Sequence, residues 1–228
     1  TVPQGLTLTI EPGVEVRFMR ISDDTSSGKD SNRSELRISG ILKAEGSAQS
    51  RISFSSNGEA PASGDWYGIV MTGSSSRTTL RHATVEHHSY GVRVESSHSQ
   101  NRAVKDIIIE DSVFKTGGTP LYKSEGHHWW SFDFKRNTVE TTSGYGIYWK
   151  NYADSVSILD NTIKNGQIFL ESLNDAQGQY EIKRNTLEGN NSQIGINGYT
   201  GYHLNNQGSF THITHNSIKN SNRSETIF

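Results

Sequence analysis

The feature that most constrains this chain is a short segment that recurs along it, each time around an asparagine. The segment Ile158–Asn165 runs Ile-Leu-Asp-Asn-Thr-Ile-Lys-Asn, and close copies of it surround Asn137, Asn185 and Asn216. Two looser copies lie upstream, with Ala83 and Asp111 in place of the asparagine. The marker positions 83, 111, 137, 161, 185 and 216 are 28, 26, 24, 24 and 31 residues apart. Such a period is typical of solenoids.

Two apolar rows flank the marker in every copy. Three residues before it lie Leu80, Ile108, Phe134, Ile158, Ile182 and Ile213. Two residues after it lie Val85, Val113, Val139, Ile163, Leu187 and Ile218. A chain whose turns stack on one another would bury both rows and align like residues in ladders.

The marker column itself favours a structural role. Asparagine tolerates left-handed backbone at a bend, and its amide can bond the turns above and below. A buried turn needs such satisfied amides. We therefore predict a structural ladder of Asp111, Asn137, Asn161, Asn185 and Asn216, not a catalytic row.

Composition excludes several classes of protein. The 228 residues include 22 Lys+Arg and 24 Asp+Glu, so the net charge is −2, and nothing indicates binding to nucleic acid. There is no Cys, which excludes disulfides and thiolate metal sites. No apolar run approaches the ~20 residues of a membrane helix, so we predict no membrane insertion. Hydrophobic residues make up only 32%, which suits the narrow interior of a solenoid.

Two segments in the N-terminal part of the chain support the same interpretation as the repeats. Leu8–Val14 (Leu-Thr-Ile-Glu-Pro-Gly-Val) and Gly40–Gly46 (Gly-Ile-Leu-Lys-Ala-Glu-Gly) look like the first coils of bacterial secreted β-helix proteins. With the asparagine repeats, they make essentially the whole chain resemble the right-handed parallel β-helix (pectate lyase-like) superfamily. The fold implied is all-β, a right-handed single-stranded parallel β-helix with three short strands per coil. At ~25 residues per coil we expect about nine coils.

The domain organisation follows from the same resemblance. We expect one β-helix domain over residues 1–228, with surface excursions near 21–34 and 197–209. We also expect it to be a fragment of a longer chain with further domains. The resemblance implies an extracellular or bacterial cell-surface location.

A third strand in each coil supplies the candidate site. Its inward residues are predicted to be Ile69, Val92, Leu121, Ile147, Ile168 and Ile194. Alternation then places one outward column at Val70, Arg93, Tyr122, Tyr148, Phe169 and Gly195. Two positions further on, a second outward column consists of Thr72, Glu95, Ser124, Lys150, Glu171 and Asn197. Lys123 falls on an inward position, which indicates an irregular coil or a shifted register there.

This column has the composition of a sugar-binding groove, in which flat rings cover pyranose faces and charges bind hydroxyls or uronate carboxylates. The predicted substrate-binding residues are Arg93, Glu95, Tyr122, Tyr148, Lys150, Phe169 and Glu171. An alternative stays open, because aromatic residues in register on a parallel sheet stabilise the sheet by themselves.

No catalytic constellation is complete, so whether the protein is an enzyme stays open. A lyase or epimerase needs a base and a group that stabilises a carbanion, for which Arg93, Tyr148 and Lys150 are the candidates. A hydrolase is the least supported enzyme class, because Glu95 and Glu171 are three coils apart and cannot pair. We expect no cofactor. A calcium loop over residues 21–34 is the less favoured alternative to a surface loop, because the acidic residues there lack a full ligand spacing.

The paired histidines do not change this prediction. Adjacent strand residues point to opposite sides, so neither His87-His88 nor His127-His128 can hold one metal through both rings. We predict no metal site and turn histidines bonded to backbone. Of Trp129 and Trp130, one is expected in the core and one exposed.

Two functions remain open at this point. The first is an extracellular or cell-surface module that binds polysaccharide or a cell-surface glycan, or acts as a structural or adhesive stalk, without catalysis. The alternative is a polysaccharide lyase or epimerase acting on uronate-containing glycans.

Overall fold

The computed structural model describes residues 1–95, 105–124, 130–150, 153–171, 179–197 and 210–221, whose 23 strands form three parallel sheets. The strands are numbered in chain order. The first sheet consists of β1 (Thr7–Ile10), β4 (Ile41–Glu45), β7 (Arg77–Arg81), β10 (Ile107–Glu110), β13 (Trp130–Lys135), β16 (Ala153–Leu159), β19 (Gln179–Lys183) and β22 (Phe210–Thr214). The second sheet consists of β2 (Glu15–Phe18), β5 (Ile52–Ser56), β8 (Ala83–Glu86), β11 (Val113–Gly117), β14 (Thr138–Thr141), β17 (Thr162–Lys164), β20 (Thr186–Glu188) and β23 (Ser217–Lys219). The third sheet consists of β3 (Glu35–Ile38), β6 (Gly68–Met71), β9 (Tyr90–Val94), β12 (Thr119–Lys123), β15 (Tyr145–Lys150), β18 (Gln167–Glu171) and β21 (Gln193–Asn197).

Strands that are neighbours in a sheet are three apart in the chain, so each coil adds one strand to every sheet. This is a right-handed parallel β-helix with three strands per coil, as the sequence predicts, and the described residues contain no helix. Those residues make eight coils, the last of which contributes to the first two sheets. The sequence estimate of about nine coils assigned every residue to a coil of average length. The stretch between β2 and β3 adds no strand, so the number of coils is smaller.

The core is a narrow apolar column between the sheets. Its members alternate with outward residues along each strand, as in β16, where Val156 and Ile158 are buried between half-buried neighbours. Phe134, Ile158 and Ile182 lie in register on the first sheet and are fully buried. Both predicted rows are therefore interior, except in one coil.

That coil is shifted by one residue from the predicted alignment. Ile109, not Ile108, pairs with Phe134, and Phe114, not Val113, pairs with Val139. Ile107-Ile108-Ile109 is apolar throughout, so alternation does not distinguish the two phases there. The structure selects the phase that buries the phenylalanine.

The asparagines form a continuous hydrogen-bonded ladder at the corner between the first and second sheets. The Asn161 side-chain oxygen accepts bonds from the Asn137 backbone N–H at 2.8 Å and the Asn137 amide nitrogen at 3.1 Å. The Asn185 side-chain oxygen accepts the same two bonds from Asn161, and the Asn216 side-chain oxygen accepts them from Asn185. Each side-chain nitrogen also donates to a carbonyl of an earlier coil, as Asn161 does to Phe134 at 2.8 Å.

Asp111 is not part of this ladder, contrary to the prediction. Ser112 takes the position, since its backbone N–H donates to Asn137 at 2.9 Å and its hydroxyl accepts from the Ala83 N–H at 3.1 Å. Asp111 precedes it with a φ of 52°, like Arg136 and Asp160 in later coils. The left-handed residue of the corner is thus the one before the asparagine column.

Candidate functional site

The outer face of the third sheet carries the predicted aromatic column. Arg93, Tyr122, Tyr148, Phe169 and Gly195 are partners in register on successive strands, as the alternation predicts. The three rings are half-buried. The prediction of the column from the sequence is therefore confirmed at the level of register.

The rings of this column stack on one another. Tyr122 and Tyr148 have centroids 5.2 Å apart with planes at 18°, and Tyr148 and Phe169 are 5.6 Å apart at 22°. Both faces of Tyr148 are therefore covered by its neighbours. The stack presents ring edges outward, which differs from the expected flat platform for pyranose faces and agrees with the alternative of ladder stacking.

The stack ends on a glycine. A Cβ added at Gly195 would lie 2.9 Å from Cδ2 of Phe169, so the ring rests where any other residue would place a side chain. The glycine lets the ring lie flat over the next strand, as aromatic residues do over glycines in sheets.

Tyr145 has a different orientation, which the sequence analysis did not anticipate. Its ring is 5.1 Å from that of Tyr148 at 82° and 6.1 Å from that of Phe169 at 62°. Because both faces of Tyr148 are occupied, Tyr145 meets its edge. One face of Tyr145 therefore covers the edges of the stack, and the other faces away from it. The ring is half-buried and stands at the start of β15, beside a register shift between Tyr145 and Ile147.

A lysine, a carboxylate and a phenol lie beside the stack. The Lys150 Nζ is 3.1 Å from the Glu171 carboxylate, and the Tyr148 hydroxyl donates to the same carboxylate at 3.3 Å. Burial and the nearby negative charge of Glu171 raise the pKa of Tyr148 to about 12. A raised pKa keeps the phenol protonated at neutral pH, the wrong state for a general base.

Arg93 and Glu95 are placed differently from the prediction. The Arg93 side chain is 8% exposed and bonds Glu95. Its guanidinium carbon lies 4.7 Å from the ring centroid of Tyr90 and 4.9 Å from that of Tyr122, within reach of cation–π attraction. Arg93 is thus a packed member of the face, which does not suit the predicted contact with a ligand or a reacting group.

The first excursion covers this end of the face. The Lys29 Nζ lies 3.6 Å from the Glu95 carboxylate, and its backbone N–H donates to Glu35 at 3.1 Å. The segment 21–34 therefore lies against the third sheet over its first coils. Of the second excursion, residues 198–209 lie outside the described part of the chain.

The comparisons with known proteins identify the family. The family model described as a right handed beta helix region matches residues 67–226, more than half of the chain. The chain belongs to the right-handed β-helix family. A search of curated proteins and a search of solved structures found no match. The match thus agrees with the architecture and extends over the strands that carry the aromatic column.

Lys123 occupies an inward position of the β-helix without disturbing its register. It pairs with Val94 and Trp149 on the neighbouring strands and is fully buried. Its Nζ donates to the Lys150 carbonyl at 2.8 Å, and burial lowers its pKa to about 7. The predicted irregularity is present in this coil, as a bulge between Phe114 and Gly117 on β11, but β12 keeps its register at Lys123, so the lysine is inward in a regular strand. Lys123 points away from the candidate site.

His88 is buried inside the β-helix, contrary to the predicted backbone-bonded turn histidine. Its ring makes edge contacts with Trp66 and Phe114, and neither ring nitrogen has a hydrogen-bond partner among the described residues. A Cβ at Gly117 would lie 2.5 Å from Nε2, so only a glycine fits there. Burial lowers the pKa of His88 to about 3, and the nearby His87 acts in the same direction.

The remaining sequence predictions concern metals, membranes and the second histidine pair. In the described ranges, no group of three or more His, Cys, Asp or Glu side chains could hold a metal ion, and no helix could cross a membrane. Trp130 is fully buried in the core, whereas His127, His128 and Trp129 lie outside the described residues.

The outer columns of the other sheets provide a contrast. On the second sheet, Glu140, Lys164, Glu188 and Lys219 are partners in register, so charges of opposite sign alternate along the axis. Such columns neutralise themselves. Within the described residues, the third sheet is the face whose outer column is aromatic.

Proposed function

We propose that this β-helix binds polysaccharide or a cell-surface glycan on the outer face of its third sheet and carries out no reaction of its own. The observation that supports this is the orientation of Tyr145, whose ring turns one face away from the aromatic stack. Tyr148 contacts this ring, and its hydroxyl donates to Glu171, which pairs with Lys150, so hydrogen-bonding groups continue along the face from Tyr145. An aromatic face flanked by a few polar groups is the arrangement that recognises a pyranose ring.

The details of this face favour binding over catalysis. A uronate lyase or epimerase would need a deprotonated base, whereas the pKa of Tyr148 is raised and Lys150 is paired with Glu171. Arg93, the candidate for stabilising a carbanion, is held inside a group of tyrosines. The proposal places the module outside the cell or at the bacterial cell surface, where polysaccharides are found.

A glycan array with two substitutions at Tyr145 tests the proposal. Tyr145→Ala removes the ring and should abolish binding, whereas Tyr145→Phe keeps the ring and should retain it. Thr138→Ala, an exposed change on the second sheet, is the matched control. Far-ultraviolet circular dichroism verifies the fold of each variant.

Two outcomes would count against glycan binding without catalysis. If no glycan on the array binds the wild-type protein, the stalk function is the one that remains. If uronate polymers yield an unsaturated product that absorbs in the ultraviolet, and Tyr148→Phe and Lys150→Ala abolish that product, the protein is a lyase.

A further inference from the structure

The charges beside Tyr148, on the same face as Tyr145, bear on which glycan the face accepts. Lys150 and Glu171 form one ion pair at 3.1 Å, and their side chains are 39% and 24% exposed. The net charge of this pair is zero. The nearest other cation along the column, Arg93, is enclosed by tyrosines and bonded to Glu95. Among the described cations on the outer face of the third sheet, Arg37, Arg93 and Lys150 are each paired with a glutamate, so a ligand carboxylate would have to displace a carboxylate of the protein.

The Glu171 carboxylate also keeps acceptor capacity for a ligand, because its side chain is 24% exposed and its two partners do not use all of its acceptor sites. Each carboxylate oxygen has two acceptor sites. Lys150 occupies one site on Oε1, and Tyr148 occupies one site on Oε2, so one site on each oxygen remains. The remaining sites can accept hydrogen bonds from hydroxyl groups, while the Lys150 ammonium can donate to them. A carboxylate on the ligand would instead meet Glu171 as a like charge, which disfavours binding.

We propose that the face around Tyr145 selects uncharged, hydroxyl-bearing glycans and rejects uronates, with Glu171 as the residue that determines this specificity. The inference rests on the proposed function, because it assumes that the same face binds a glycan. It differs from the uronate-containing glycans considered in the alternative function of the sequence analysis, because the cations predicted to bind a uronate, Arg93 and Lys150, are already paired within the fold.

The test compares neutral and acidic oligosaccharides on wild-type protein and on Glu171→Gln. The probes are oligomers of glucose, galactose and mannose, and of galacturonate and mannuronate. Wild type should bind at least one neutral oligomer and none of the uronates. Glu171→Gln removes the negative charge and releases Lys150, so its affinity for a uronate should rise by about tenfold or more and should weaken as salt is added.

Glu140→Gln provides the matched control. It makes the same change in net charge at an exposed position on the second sheet, away from Tyr145. If it increased uronate binding as much as Glu171→Gln does, the effect would come from total charge, and the assignment of Glu171 would be overturned.

The results distinguish this inference from the proposed function. Wild-type binding to a uronate in preference to every neutral oligomer, lost in Tyr145→Ala, would overturn the selectivity and leave glycan binding in place. Absence of binding to every oligomer in wild type and in Glu171→Gln would overturn both. Neutral binding that Glu171→Gln leaves unchanged, with no gain for uronates, would remove Glu171 from the specificity.

Discussion

Replacing Asn161 by alanine should destabilise the protein more than any exposed substitution nearby. The side-chain oxygen of Asn161 is the acceptor for the backbone N–H of Asn137, and its nitrogen is a donor to the Phe134 carbonyl. Asn137 is 1% exposed, so water cannot replace these bonds. A stranded buried group costs about 1–3 kcal/mol, so two of them predict a loss of roughly 2–6 kcal/mol in the free energy of unfolding.

Asn161→Ser should lose less. The chain itself places Ser112 in this column, where the hydroxyl accepts the Ala83 N–H at 3.1 Å. A serine at position 161 could accept the Asn137 N–H in the same way, although it would not reach the Phe134 carbonyl. Stability should therefore rank wild type first, then Asn161→Ser, then Asn161→Ala.

Urea unfolding of the whole chain measures the loss, and amide hydrogen exchange locates it at the Asn137 N–H. The control is Asp160→Asn, which removes the exposed ion pair with Arg184 one residue away and should change stability by less than about 1 kcal/mol. Surface substitutions usually change stability by less than about 0.5 kcal/mol. A change this small in Asn161→Ala, with the Asn137 amide still protected, would refute the role given to the ladder.

Two further predictions concern the core and the aromatic stack. His88 titrates at about 6.5 when unfolded and at about 3 when folded, so the unfolded state binds more protons between these values, and stability should fall as pH decreases, by up to about 1.4 kcal/mol per pH unit. Thermal unfolding from pH 7 to pH 4 should show a smaller decrease for His88→Leu than for wild type, and equal decreases would contradict the buried neutral histidine. Gly195→Ala would place a methyl group 2.9 Å from Phe169, so it should displace the ring and lower both stability and glycan affinity. Unchanged melting and binding would show that the ring does not rest on the glycine.

The register of the third sheet was predictable from the sequence, because the alternation of apolar residues and the repeated corner together allow only one alignment of its strands. Tyr122, Tyr148 and Phe169 are aligned for that reason. The same method failed at Asp111, because the preceding three isoleucines fit both phases and Ser112 is an equally good corner residue. Pattern alone cannot choose when both alternatives bury apolar groups.

Other features of the site lie beyond what periodicity can show. Alternation assigns a residue to a face and leaves a sugar-binding groove and ladder stacking both open. The angle between two rings depends on rotamers, so alternation could not choose between them, and the rotation of Tyr145 was not predictable. Tyr145 also lies beside a register shift, where strict alternation stops. The alignment places Lys123 correctly, but an inward lysine contradicts the usual rule of burial, so the pattern indicates an irregular coil or a shifted register where β12 is regular.

The alternating charge columns have a consequence for how a β-helix of this kind can change in length. Glu140, Lys164, Glu188 and Lys219 follow one another on the second sheet, and the corner column pairs Asp111 with Arg136 and Asp160 with Arg184. Removing one coil would bring Glu140 against Glu188 and Arg136 against Arg184. Removing two adjacent coils would instead bring Glu140 against Lys219, or Asp111 against Arg184, and so keep opposite signs together. The electrostatic unit of insertion or deletion in this rod is thus a pair of coils, although the structural repeat is one.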